Sequence, residues 1–271
     1  MVRISVTVVV PVKNEAKNLP ACLDKLKPFS EVIVVDSNST DSTSRIVKDY
    51  NYKLVNFNWD GKFPKKRNWV LQNVTLKNDW ILFLDADEYV TPEFISEVRN
   101  AITRPSYTGF WLCYDNFFMG KQIKYGDKMR KLALFKKNSG AYEYIEEDSW
   151  SHLDMEVHEH PIIDGKVGKL KNPIIHKDYK GLEHYIQRHN AYSSWEANRF
   201  KQLNKKGFKG LTKRQKLKYK LMQWGVLPLF YFIGTYILKL GFLDGKQGYY
   251  LAKYKAYYFF QIQTKIKELG H

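Results

Sequence analysis

Four consecutive residues, Asp85-Ala86-Asp87-Glu88, follow directly on the apolar run Trp80–Leu84 (WILFL). Two carboxylates at i and i+2, held just beyond a strand, can grip a hard divalent cation such as Mn2+ or Mg2+, and that cation can hold a diphosphate. The same acids could instead lead into a helix, because Thr91-Pro92-Glu93 has the chemistry of a helix start. Acids also close two earlier apolar runs: Glu15 follows Val6–Pro11, and Asp36 ends Glu31–Asp36 (EVIVVD). Further along, SWSHLDMEVHEHPII supplies three more carboxylates, Asp154, Glu156 and Glu159, each a candidate general base. The chain has no GxGxxG, GxxxxGK[ST], CxxC, HExxH or GxSxG pattern, so the chemistries tied to those motifs lack support.

The elements that must position these acids are legible as a series of strands and helices. Val6–Pro11 and Glu31–Asp36 are continuous β-branched runs, the pattern of strands buried on both faces of a parallel sheet. Leu19, Cys22, Leu23 and Leu26 recur at helical spacing, with Asn14 as the expected cap. A Ser/Thr/Asp-rich turn and a helix follow Asp36, then a short strand at Lys53–Asn56, a helix at Asn68–Val74 and the strand Trp80–Leu84. Alternation of this kind predicts an α/β domain with a mostly parallel sheet flanked by helices, whose ligands lie beyond the carboxyl ends of the strands. After residue 105 the rhythm shortens, with a hairpin about Met119–Gly120 and strands near Lys131–Phe135 and Val167–Leu170. The expected division is a catalytic domain over 1–178, split into halves at about 1–104 and 105–178, and a helical appendage over 179–271.

Charge separates the same two regions. Of 271 residues, 44 are Lys or Arg and 28 are Asp or Glu, a formal net charge of +16. Residues 181–271 hold 17 of those basic side chains and only four of the acids, whereas the preceding part is nearly balanced. Residues 201–220 carry nine Lys/Arg and no acid, and 221–238 (LMQWGVLPLFYFIGTYIL) carry no charge. Eighteen uncharged residues reach the lower limit for a spanning helix, but Gly225, Pro228, Gly234 and the lysines that follow favour an interfacial or re-entrant element drawn to anionic lipid. An apolar helix packed on the catalytic domain is the alternative. A basic, Tyr-rich tail could also suit nucleic acid, yet that reading leaves the acids of the first part without a role. The two cysteines, Cys22 and Cys113, exclude a disulfide scaffold and fit a reduced, cytoplasmic setting; the opening apolar run has no small-residue cleavage site and reads as a strand.

Taken in order and spacing, PVKNEAKNL, VVDSNSTDST, KKRNWVL and WILFLDADEYVTPE resemble the family-2 glycosyltransferases, over roughly residues 4–180. The resemblance implies a GT-A Rossmann-like fold and inverting transfer from a UDP-sugar with Mn2+ or Mg2+. It implies that Pro11, Glu15 and Asp36 line the nucleotide pocket, Asp36 accepting from the uracil ring, and that Arg67 and Asn68 contact base or phosphate. Asp85 would face the ribose or the metal, and Asp87 would ligate the metal. His176, in Ile174-Ile175-His176, would add a metal or phosphate contact, and Arg130 would touch phosphate. A solvated surface would also explain Arg67 within KKR and Arg130 within KMRKLALFKK. Val157-His158-Glu159 and GFLDGKQGYYLAKYKAYYFF resemble a narrower group, the bacterial enzymes that add glucose to the inner core of lipopolysaccharide or lipooligosaccharide. That likeness implies Glu159 as the base and a lipid-linked saccharide as acceptor, on the inner face of the cell membrane. Polyprenyl phosphate or a capsule precursor is the alternative acceptor.

Overall fold

The computed structural model describes residues 2–147, 150–151, 153–154, 161–177, 180–208 and 211–270. By contacts the chain divides into two units, Met1–Asp115 with Met129–Asp148 and His152–Lys177, and Asn116–Lys128 with Ser149–Ser151 and Asp178–His271. The hairpin at Asn116–Lys128 thus groups with the C-terminal helices.

The first unit begins with β1 (Ile4–Val12), α1 (Leu19–Asp24), β2 (Phe29–Asp36), α2 (Thr43–Asp49), β3 (Lys53–Asn56), α3 (Lys66–Asn73) and β4 (Trp80–Phe83). It continues through β5 (Glu88–Tyr89), α4 (Pro92–Ala101), β6 (Tyr107–Phe118), β7 (Lys121–Ile123), β8 (Arg130–Lys136), β9 (Gly140–Tyr142), β10 (Pro161–Ile163), β11 (Lys166–Lys169) and β12 (Ile174–His176), of which β7 and the end of β6 lie in the second unit. The sheet runs in the order β3-β2-β1-β4-β8-β6-β12-β5. Its first four strands are parallel, and β1, β2 and β4 carry the apolar, doubly buried sequences of such a sheet, while β3 is a half-exposed edge. Beyond β4 the parallel expectation gives way: β8 is antiparallel to both β4 and β6, and β12 to β5. The reason is connectivity, since β6, β7 and β8 are joined by turns too short for crossover helices. The turn between β6 and β7 places Met119 and Gly120 both at positive φ (50° and 77°), the backbone that a two-residue hairpin prefers.

Two local expectations resolve differently from one another. Asn14 does not cap α1: it sits in a left-handed turn (φ 55°), and its Oδ1 accepts from the Thr40 backbone N–H at 2.8 Å. The helix itself starts only at Leu19. By contrast, the hydroxyl of Thr91 caps α4 by accepting from the Phe94 N–H at 3.1 Å. That cap relieves Asp85, Asp87 and Glu88 of any such duty.

The second unit adds α5 (Gly181–Lys206), α6 (Lys213–Gln223), α7 (Leu227–Phe232) and α8 (Lys246–Glu268) to the β6–β7 hairpin. Phe200, Tyr219, Met222, Leu227, Tyr258 and Ile262 form its separate apolar core. Glu196 is buried there, accepting from the Lys218 ammonium at 2.7 Å and the Tyr219 hydroxyl at 2.8 Å. Residues 221–238 are not one helix. α6 stops at Gln223, α7 starts around Pro228, and Ile233–Leu238 form a π turn. No helix among the described residues is long and apolar enough to cross a membrane.

Candidate functional site

The carboxyl ends of β1, β2 and β4, the start of α3, and strands β8 and β12 bring most of the expected residues together in the first unit. Asp85 lies at the centre. Its Oδ1 accepts from the Arg67 guanidinium at 3.1 Å and its Oδ2 from the Lys131 ammonium at 2.5 Å. Lys131 also pairs with Glu88, which has no exposed surface. The backbone closes the same loop, Asp85 N–H donating to Glu88 Oε2 at 3.2 Å and Glu88 N–H to the Asp85 carbonyl at 3.0 Å. His176 reaches the adjacent acid, its Nε2 standing 3.5 Å from Asp87 Oδ2. β12 fixes that approach, pairing His176 with Glu88 in register, and the Lys177 N–H just beyond it donates to the Asp87 carbonyl at 3.0 Å.

The electrostatics follow from these pairings. Burial would raise the Asp85 carboxyl, but Lys131 and Arg67 outweigh it and hold Asp85 well below the usual carboxylate range. Glu88 is pushed up, chiefly by burial and then by the neighbouring Asp85, despite Lys131. Burial lowers Lys131, yet the two acids prevail and keep it firmly protonated. Burial likewise lowers His176, while the hydrogen bond and charge of Asp87 and the charge of Glu88 raise it overall. Three acids therefore face two permanent cations and one titratable imidazole, a cluster that is close to neutral by itself.

The Lys65-Lys66-Arg67 run is not a solvated surface. Lys65 and Lys66 are buried. Lys65 pairs with Glu147 at 2.5 Å, and the Lys66 ammonium lies 3.3 Å from both the Val12 carbonyl and Asp154 Oδ2. The Arg67 guanidinium sits 5.4 Å from the centre of the Tyr142 ring. Asn68 is buried and clamps β9: its Nδ2 donates to the Tyr142 carbonyl at 3.0 Å, and its Oδ1 accepts from the Tyr142 N–H at 2.9 Å. Asn68→Ala is expected to remove both hydrogen bonds to the Tyr142 backbone and to cost about 2–3 kcal/mol of stability, read as a lower midpoint in denaturant at unchanged slope.

The remaining expected residues are placed as follows. Pro11 is buried in β1, paired with Val35 of β2. Glu15 is half-buried and accepts from Asn18 Nδ2 at 3.0 Å. Asp36 is buried; Oδ1 accepts from the Ser39 N–H at 3.1 Å and its hydroxyl at 2.5 Å, and Oδ2 from the Ser44 hydroxyl at 2.8 Å. A carboxylate offers about four acceptor positions, and the described residues fill three of those on Asp36. Arg130 is exposed at the start of β8, whereas Lys131, one residue on and therefore on the other face, enters the acid cluster. Lys131, Glu88 and Lys66 were not singled out from sequence. Only Glu88 carried a signal, its place in the DADE run. Glu156 and Glu159 lie outside the described residues. Asp154, described, is held below its ordinary range, where Lys66 and hydrogen bonds overcome the upward push of burial.

Chemically, the arrangement can hold a nucleoside diphosphate beside a hard cation. Among the described residues no group of three or more His, Cys, Asp or Glu converges to hold a metal ion. Asp87 and His176 are a two-donor edge, and a cation seated there would complete its shell with diphosphate oxygens and water, as Mg2+ commonly does. Strand-end acids, a cation-rich start of α3 and a parallel β3-β2-β1-β4 core thus meet beyond the carboxyl ends of the strands, where open α/β sheets take their ligands.

Residues 7–155, more than half of the chain, match Glycosyl transferase family 2. The chain belongs to that family. It is similar to an uncharacterized glycosyltransferase of Rickettsia felis, 25% identical over 269 residues that cover 94% of this chain and 87% of the relative. It is also similar to a TPR repeat-containing protein of Synechococcus elongatus, 37% identical over 100 residues; that match covers 36% of this chain and spans about a quarter (24%) of the relative's length. Among solved structures, a mannosyltransferase from Pyrobaculum calidifontis, in complex with GDP-Man and Mn2+, shares the fold at a TM-score of 0.54 and 16% identity, covering 97% of this chain and 87% of that one.

Proposed function

We propose that the protein transfers a hexose, glucose by its resemblance, from a UDP-sugar to a lipid-anchored saccharide such as a lipopolysaccharide inner core, with inversion at the anomeric carbon. The observation that carries this reading is the Arg67–Asp85–Lys131–Glu88 cluster beside the Asp87–His176 edge, placed where β4 ends. Asp36 would receive the uracil N–H on its carboxylate, with Pro11 and Glu15 lining the pocket. Asn68 would support the pocket wall, and Arg67 would attract the diphosphate; Arg130, on the opposite face of β8 from Lys131, is left out of that role. Asp87 and His176, with Asp85 alongside, would hold Mn2+ or Mg2+, which supplies charge stabilisation for the leaving diphosphate. Catalysis then belongs to 1–178, and 179–271 hold the enzyme against an anionic membrane surface, at the inner face of the cell membrane.

Inversion requires one base on the acceptor side, taking the hydroxyl proton as that oxygen attacks. Asp154 is a poor choice, since its ion pair with Lys66 depresses its basicity. Glu159 is the proposed base. Glu159→Gln is expected to bind UDP-sugar normally and to lose transfer by about 10²–10⁴-fold, measured as UDP release in the presence of acceptor. Full activity in that variant would shift the role to Glu156. Mass analysis of products from truncated lipopolysaccharide and from polyprenyl phosphate, offered in parallel, tests the acceptor: the hexose is expected on the saccharide.

A further inference from the structure

The second unit carries a turn whose polar side is tied down and whose apolar side is left bare. After α7 the chain passes through the π turn Ile233–Leu238, a left-handed Leu240 (φ 57°) and a 3-10 turn at Gly241–Asp244. Polar groups of this stretch bind inward to the 121–127 hairpin. The Tyr231 hydroxyl donates to Asp127 at 2.5 Å and the Lys239 ammonium lies 3.0 Å from the same carboxylate. The Gly126 N–H donates to the Lys239 carbonyl at 2.9 Å, and the buried Asp244 accepts from the Lys124 and Tyr125 N–H groups at 3.0 and 2.9 Å. Glycines set the close approach to α8: a Cβ on Gly248 would stand 2.1 Å from the Gly241 carbonyl oxygen.

What remains outward is apolar. Leu229, Phe230, Ile237, Leu238, Phe242 and Leu243 are 45–76% exposed, within fifteen residues of chain. A ladder of rings ties the turn to α8: Phe232 to Tyr236 at 5.2 Å, Tyr236 to Phe242 at 6.3 Å and Tyr236 to Tyr249 at 5.7 Å. Cations stand at the margin, Lys253 over the Phe232 ring at 5.6 Å and Lys220 over the exposed Trp224 at 4.8 Å. Exposed apolar side chains concentrated in one short segment in this way mark an interaction surface.

We infer that this turn, Leu229–Leu243, is a membrane-docking face that sinks its apolar tips into the headgroup boundary of an anionic bilayer while the surrounding lysines meet the lipid phosphates. This rests on the membrane reading above and names the residues that perform it. The charge selects the occupant. Residues 181–271 carry 17 basic and four acidic side chains, so a second copy of this face would meet strong repulsion, and an anionic surface would attract it. Aromatic rings beside lysines suit the bilayer interface, and the absence of a spanning helix among the described residues fits a surface that lies on the membrane.

The full-length protein would be sedimented with vesicles of phosphatidylcholine containing phosphatidylglycerol, and with pure phosphatidylcholine. Wild type is expected to partition onto the anionic vesicles and to retain part of that binding at about 0.5 M salt, where exposed charges are screened. The triple variant Ile237→Ser, Leu238→Ser, Leu243→Ser alters side chains at least half exposed and outside the ring ladder, so its thermal unfolding should match wild type, while its partition falls at least about tenfold. Equal partition by the two proteins, or none by wild type, overturns the inference. A dimer that forms without lipid and disappears in the triple variant would also overturn it, assigning the face to a second copy. Transfer to a soluble, delipidated acceptor saccharide separates the two readings: vesicle binding without transfer counts against the enzyme's proposed substrates, and transfer without vesicle binding counts against the docking face.

Discussion

Asp87→Ala is expected to lower hexose transfer on the order of 10³-fold and to abolish the gain in UDP affinity that Mn2+ confers on wild type. The expectation comes from the geometry at the end of β4. Asp85 is already engaged by two cations, so Asp87 is the acid placed to meet a third, and His176 alone offers one neutral nitrogen. The pH dependence has a definite sign. Asp87 raises His176 overall, so the protonated pair is fully formed below the ordinary histidine value and is lost as pH rises through the raised one. A cation competes with that proton. Mn2+-dependent UDP binding by wild type should therefore be weak near pH 6 and strengthen toward pH 8, as followed by titration calorimetry. Binding that is flat across this range would remove His176 from the cation site.

Lys131→Met is expected to be the most destabilising single change in the cluster, about 3 kcal/mol at pH 8. It leaves Glu88 fully buried, and Asp85 partly buried, without the ammonium that satisfies both. For a unit of this size that loss corresponds to a fall of roughly 6–12 °C in unfolding midpoint. The penalty should shrink as pH falls. Without Lys131, burial and the charge of Asp85 raise Glu88 unopposed by that ammonium, so stability is recovered at low pH as Glu88 protonates and is lost as pH rises through its folded value. In wild type Asp85 behaves the opposite way: its depressed pKa contributes stability above the ordinary aspartate value, lost as pH falls. Paired melts of wild type and variant at pH 5 and pH 8 check this. A deficit that is the same at both values would mean that Lys131 does not carry the charge balance of the site.

The parts of this molecule that sequence reveals are those governed by local pattern. β1, β2 and β4 each contain an unbroken apolar run, Val8–Val12, Val32–Val35 and Trp80–Phe83, and a strand buried on both faces must look like that. The acids ending them are legible for the same reason, because the run stops where the sheet meets the ligand face. Lys131 is invisible by contrast. β8 buries Leu132 to Phe135 without alternation, so nothing local says which of Arg130 and Lys131 turns toward the acids. Lys65 and Lys66 look like a solvated patch, and only their long-range partners Glu147 and Asp154 make them core. The C-terminal apolar stretch gave its composition away but not its shape. Pro228, the π turn and left-handed Leu240 break it into a folded turn held by the hairpin at residues 121–127, a contact with no local signature.

The central claim is that the acid cluster at the end of β4 receives a nucleoside diphosphate together with a divalent cation. Titration of the wild-type protein with UDP, once with Mn2+ and once with a chelator, tests it most directly. Saturable one-to-one binding with Mn2+, weakened at least about tenfold by the chelator and lost in Asp87→Ala, is the predicted result. Equal UDP affinity in all three titrations would contradict it.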